Sequence, residues 1–177
     1  MNADFSISTD RLILRPFTEE DIEPTYQLNL DEEVSRYTLD GGVLSREEIA
    51  RRIRDDLMGD YKKHGFGRFA IEHKKTGTFI GFAGLKYLED LEEVDLGYRL
   101  RSDFWGMGLA TEASQACLTY GFTALNLPKI IAMVLPENTA SIRVLKKLHF
   151  TFEKEFLEEG HTAHLFVLTK ERYETFL

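Results

Sequence analysis

Residues 93–113 read EVDLGYRLRSDFWGMGLATEA, and this stretch decides the fold. Its first eight residues alternate. Val94, Leu96, Tyr98 and Leu100 share one face of a strand, and Glu93, Asp95, Gly97 and Arg99 share the other. A central strand covered by helices should be apolar on both faces, so this polar row marks either an exposed face or a site. Next comes Trp105-Gly106-Met107-Gly108-Leu109-Ala110-Thr111, a glycine-bearing turn that opens a helix. A helix start offers unpaired N–H groups, and glycines let an anion approach them closely. The turn can hold a phosphate, or it is a plain strand-to-helix connection. No Gly-Lys-Ser/Thr follows, and Thr111 stands where a dinucleotide fingerprint needs its third glycine.

Working outward, segments 11–17, 66–73, 78–87, 129–135, 151–157 and 162–169 also read as strands. Thr18 caps a helix over 19–30, with Asp21 at the box position. Ser45 and Glu48 form a capping box. Ile49, Ile53, Leu57 and Tyr61 then repeat every four residues to the stop at His64-Gly65. Further helices read over 110–125 and over 140–148, the second capped by Asn138 or Thr139. Turns are expected at Asp40-Gly41-Gly42, 74–77 and 158–161. The order is β-α-α-β-β-β-α-β-α-β-β. It predicts one α/β domain over 1–177, a mixed, mainly antiparallel sheet flanked by helices.

The chain has 177 residues, with 43% hydrophobic and 29% charged, which is globular composition and excludes a disordered chain. Its net charge of -8 disfavours nucleic acid and favours cationic partners. One cysteine, Cys117, excludes an internal disulfide and fits a reducing cytoplasm. The start MNADFSISTDR has no basic, apolar leader pattern, and no apolar run is long enough to span a membrane, so no membrane association is expected.

Three features can carry chemistry. Glu89, Asp90, Glu92, Glu93 and Asp95 gather acid that attracts a cation or is solvated surface. Asn138-Thr139-Ala140-Ser141 opens a helix after a strand. Its polar side chains are ordinary caps, or they face a ligand beside that strand. The glycine turn is the third. His161 and His164 lie three apart on a strand and point to opposite faces, so no metal site is expected. Cys117 lies among small residues and reads as core.

Together these segments resemble the GNAT superfamily of N-acetyltransferases, in its ribosomal-protein N-terminal acetyltransferase-like branch. Thr9-Asp10-Arg11-Leu12-Ile13-Leu14-Arg15-Pro16 is similar to that branch's opening strand. Asp95-Leu96-Gly97-Tyr98 is similar to its fourth strand, 105–113 to its pyrophosphate loop, and 138–150 to its last motif. Trp105 replaces the superfamily's usual Gln or Arg. His149 replaces a glycine that commonly turns left-handed.

The resemblance implies a sheet splayed between the fourth and fifth strands, with acetyl-CoA in the cleft and no metal. It implies that Gly106, Met107, Gly108, Leu109, Ala110 and Thr111 hold the pyrophosphate. Asn138 and main-chain groups near Leu100 would meet the pantetheine arm, and Arg143, Lys146 or Lys147 an adenosine phosphate. Asp95 is then the candidate base for the acceptor amine, with Glu93 second. Ser141 is the candidate donor to the leaving thiolate, ahead of Tyr98, which a regular strand turns away from Asp95. The acceptor is an amine, either a protein N-terminus or a small molecule. The rival class is a non-catalytic acyl-CoA-binding module. The oligomeric state stays open, although this branch often dimerises.

Overall fold

The computed structural model describes residues 5–38, 42–158 and 160–176. Residues 1–4, Asp40 and Gly41 of the expected turn, and Glu159 of the last turn lie outside the described residues. The chain runs β1 (Ile7–Ser8), β2 (Leu12–Arg15), a 3-10 turn at Glu19–Asp21, α1 (Ile22–Leu30) and α2 (Glu32–Ser35). Then come α3 (Arg46–Arg51), a π segment at Arg52–Leu57, α4 (Met58–Lys63), β3 (Arg68–His73), β4 (Thr78–Leu88) and β5 (Glu93–Leu100). The remainder is α5 (Leu109–Thr119), a second π segment at Tyr120–Ala124, β6 (Lys129–Val134), α6 (Thr139–Lys147), β7 (Thr151–Glu158), β8 (His161–Thr169) and α7 (Lys170–Glu174).

The described strands form one open sheet in the order β1-β2-β3-β4-β5-β6-β8-β7. Every pairing is antiparallel except β5 with β6, which run parallel. The mixed, mainly antiparallel sheet expected from the strand order is therefore present. β1, α2 and α7 were not legible, because two to five residues are too few to show a period.

Helices cover both faces. Ile22, Leu28, Ile49 and Ile53 of α1 and the α3–α4 segment pack with Ala70 and Phe79 on one side. Leu109, Ala113, Leu118 and Phe122 pack against Leu85 and Leu96 on the other. The repeat of four at Ile49, Ile53, Leu57 and Tyr61 overshoots the 3.6-residue turn, so a straight α-helix would rotate these side chains by roughly 40° at each step. The π segment at Arg52–Leu57 unwinds that drift, and Ile49, Ile53 and Tyr61 all end up buried. Of the expected capping box, Ser45 accepts the Glu48 N–H at 3.1 Å, while the Glu48 carboxylate turns to Arg51 and Arg52.

His149 has a φ of +66°, the left-handed conformation expected where a glycine is usual. Its ring stacks on Phe176 at 3.6 Å, and Arg172 Nε donates to its carbonyl at 2.8 Å. These contacts offset the modest cost of a Cβ there.

Candidate active site

β5 and β6 register at a single pair, Asp95 and Ile131. Beyond it a cavity of about 860 Å³ opens, lined by residues 95–100 of β5 and 132–135 at the end of β6. The splay expected between these strands is here.

The glycine turn forms one wall. Gly108 caps α5 with a φ of +77°, a left-handed conformation that any other residue adopts at a cost. Trp105 Nε1 closes the turn by donating to the Leu100 carbonyl at 2.8 Å. Arg11, nearly a hundred residues away, fastens it. Its Nη1 donates to the Met107 carbonyl at 2.8 Å and its Nε to Glu112 at 2.6 Å, and Thr9 also donates to Glu112 at 2.6 Å. Burial works to raise the Glu112 pKa, but the Thr9 and Arg11 bonds hold it below the ordinary value. Gly106, Gly108, Leu109, Ala110 and Thr111 line the cavity, as do Leu100, Asn138 and Arg143. Met107 is not a lining residue; it is exposed.

Asp95 lies at the root of the splay and is 5% exposed. Arg68 Nη2 donates to its Oδ2 at 3.0 Å, and the Met133 main chain donates as well. Burial pushes the carboxyl above its usual range, while Arg68 pulls the other way. Gly97 makes the arrangement sterically possible: a Cβ there would sit 2.5 Å from Arg68 Nη2. Arg68 also lies 5.8 Å from the centre of the Phe82 ring. Glu93 is drawn elsewhere. It pairs with Lys129 and does not line the cavity. Glu89 of the acidic stretch pairs with Lys63, so most of that acid does not face the site.

Tyr98 and Ser141 stand on the other side of β5. Asn138 is the cap of α6: its Oδ1 accepts the Ser141 N–H at 3.1 Å. The Ser141 hydroxyl is therefore not needed as a cap, and it lines the cavity. The Tyr98 hydroxyl is buried and faces Ser141 without a well-formed hydrogen bond. Burial pushes it up to about 12. The alternation did turn Tyr98 away from Asp95; what it could not show is that Tyr98 meets Ser141.

Lys147 lines the cavity, whereas Lys146 does not. Cys117 is fully buried, and desolvation pushes its thiol up to about 12, which leaves almost no thiolate at neutral pH. His164 contacts Glu155 at 3.1 Å. No cluster of three or more His, Cys, Asp or Glu able to hold a metal occurs among the described residues. No helix among them is long and apolar enough to cross a membrane.

The arrangement combines a glycine-capped helix start, an open strand pair, a buried carboxylate and a pair of hydroxyls around one cavity. Comparison with known proteins agrees with this chemistry. A family model described as the acetyltransferase (GNAT) domain matches residues 11–151. An uncharacterised N-acetyltransferase, p20 of Bacillus licheniformis, is 34% identical over 95% of this chain and 98% of its own. The spermidine N(1)-acetyltransferase of Escherichia coli K12 is 30% identical over 82% of this chain and 76% of its own. In fold, the chain is similar to a ribosomal L7/L12 alpha-N-protein acetyltransferase solved with coenzyme A. The TM-score is 0.81, with 20% identity over 95% of this chain and 99% of that one.

Proposed function

The chain belongs to the GNAT acetyltransferases, and on that footing we propose that it moves the acetyl group of acetyl-CoA directly to a primary amine. The observation that carries this reading is the placement of Asp95 and Ser141. They line one cavity from opposite sides of β5, with the α5 turn at its rim. Acetyl-CoA brings an activated thioester, and the residues present fit its parts. The pyrophosphate is assigned to the N–H groups of the 106–111 turn, whose residues other than Met107 line the cavity. Asn138 Oδ1 is engaged by Ser141, so its amide N–H group is the part that meets the pantetheine arm. Arg143 and Lys147, which line the same cavity, are the cations we assign to an adenosine phosphate.

Asp95 takes a proton from the acceptor ammonium, directly or through water, because an ammonium has no free lone pair. A carboxyl at its ordinary pKa of ~3.9 is a weak base at neutral pH, and burial moves Asp95 in the useful direction. The freed amine forms the new C–N bond at the thioester carbonyl as the C–S bond breaks. Main-chain N–H groups at Leu96 or Gly97 stabilise the oxyanion. Ser141, with Tyr98 beside it, donates to the departing thiolate.

The acceptor is the α-amine of a protein N-terminus or a small-molecule amine. Residues 1–177 act as one N-acetyltransferase domain, since both apolar clusters pack on one sheet. The single buried cysteine fits a reducing cytoplasm. Release of CoA thiol with a panel of amines tests the activity, with each product confirmed as one acetyl group heavier. Thiol release that no amine accelerates would contradict it.

A further inference from the structure

We infer that Asp60 is a positioning residue for the base Asp95: it competes with Asp95 for Lys86 and Arg68, two cations that line the cavity beside that base. This inference rests on the acetyl-transfer reading and adds to it a group that does not touch the substrate. Asp60 lies on α4 and does not line the cavity, whereas Asp95, Lys86 and Arg68 do.

The fold brings the four groups together from four elements. β4 and β5 pair Lys86 with Asp95, so both side chains project from one face of the sheet. Phe82, two pairs further along β4, packs on that face with the apolar cluster that includes Met58 of α4. β3 pairs Arg68 with Gly84, and Arg68 reaches over Gly97 to Asp95 Oδ2 at 3.0 Å. α4 closes over the start of β3, where a Cβ at Gly67 would lie 3.4 Å from the Asp60 Cβ. Asp60 is half-buried, and its Oδ2 is sealed from solvent with no hydrogen-bond partner among the described residues. Without a donor, that carboxylate depends on charges at longer range. Lys86, His64 and Arg68 attract it, while Asp56 of the π segment repels it. Arg68 and Lys86 are also the cations that attract Asp95. Cations shared between two carboxylates stabilise each less than they would stabilise one alone. Burial pushes both carboxyls above the ordinary range, and the shared cations oppose that only in part. This suits a base, which works best when its pKa is close to the working pH.

The test is the pH profile of kcat/KM, followed by CoA release with one amine throughout, so that the amine's own titration is common to every variant. Asp60→Asn keeps the shape and removes the competing charge, which leaves Lys86 and Arg68 to Asp95. Its acidic limb should move down by about 0.5–1.5 pH units. Lys86→Met removes a shared cation, so its limb should move up by a similar amount. His64→Gln takes away the imidazole that faces Asp60 and should leave an acidic limb in place. The other charges lining the cavity, Glu33, Arg52 and Arg99, stay in every variant. A limb that stays put or rises in Asp60→Asn, or that ignores Lys86→Met, would overturn the inference and leave acetyl transfer standing. So would a limb that disappears in His64→Gln. If Asp60→Asn does not fold, Asp60→Ser takes its place, and loss of folding in both would assign Asp60 to the fold alone and overturn the inference. No acetylation of any amine by the parent would remove the activity itself, and near-parent turnover by Asp95→Asn would remove the base that Asp60 serves.

Discussion

Arg68 Nη2 lies 3.0 Å from Asp95 Oδ2, in space that any side chain at residue 97 would occupy. Gly97, Arg68 and Asp95 therefore work as a unit at the root of the β5–β6 splay. Asp95 is almost fully buried, so its charge is tolerated there chiefly because Arg68 and the Met133 main chain face it.

This unit sets a pH dependence. Burial raises the Asp95 pKa above its unfolded value, and the Arg68 charge limits the rise. The fold thus binds this proton better than the unfolded chain does. That stability is fully present below the unfolded pKa and is lost as pH rises through the folded one. Catalysis needs the opposite form, the carboxylate. In Arg68→Met the opposing charge is gone, so the acidic limb of the kcat/KM profile should move up by about 1–3 pH units. A limb that stays in place would separate Arg68 from the base.

Ser141→Ala should lower kcat by about tenfold or more while CoA affinity stays near normal, because a donor to the thiolate acts mainly in the transition state. Its melting temperature should hardly change, since Asn138 is the cap. Asn138→Ala is the structural control, with a cost of about 1 kcal/mol. Should Ser141→Ala turn over normally while Tyr98→Phe does not, the donor is Tyr98.

Gly108→Asp should weaken CoA binding by about a hundredfold or more, because it sets an anion and a strained left-handed residue where the pyrophosphate belongs. Arg11→Met should weaken it less, by loosening the turn at Met107 and Glu112. Calorimetry on folded variants measures both. Unchanged affinity in Gly108→Asp would place the pyrophosphate elsewhere.

Transfer should proceed without an acetyl-enzyme. Cys117 is sealed in the core with its thiol pushed up to about 12. Intact mass after exposure to acetyl-CoA alone should show no adduct. An acetylated Cys117 that passes its acetyl group to an amine would replace direct transfer with a two-step route.

Much of this was legible in the sequence because it is local. The alternation at 93–100 gave β5 its bounds and separated Asp95 from Tyr98. The glycines at 106 and 108 marked the turn, and the family resemblance pointed to a left-handed helix end at His149. The rest depends on partners far along the chain. Arg68 looked like any residue opening a strand. Arg11 and Glu112 meet only through the fold, and nothing in the sequence showed that Glu93, second to Asp95 as a base, would be taken by Lys129. Of the acidic stretch, Glu89 and Glu93 become paired surface, while the cations lining the cavity come from five separate elements.

The most direct measurement is the rate of amine acetylation by Asp95→Asn, which keeps the shape at the root of the splay and removes the base. Acetyl-CoA and one good amine acceptor are followed from neutral to alkaline pH. The account predicts a kcat lower by about 10²–10⁴ at neutral pH, recovering in part as more of the amine is already deprotonated. CoA binding and melting temperature, measured on the same sample, should stay close to the parent. Turnover near the parent's at neutral pH would contradict the account and move proton removal to water or another group.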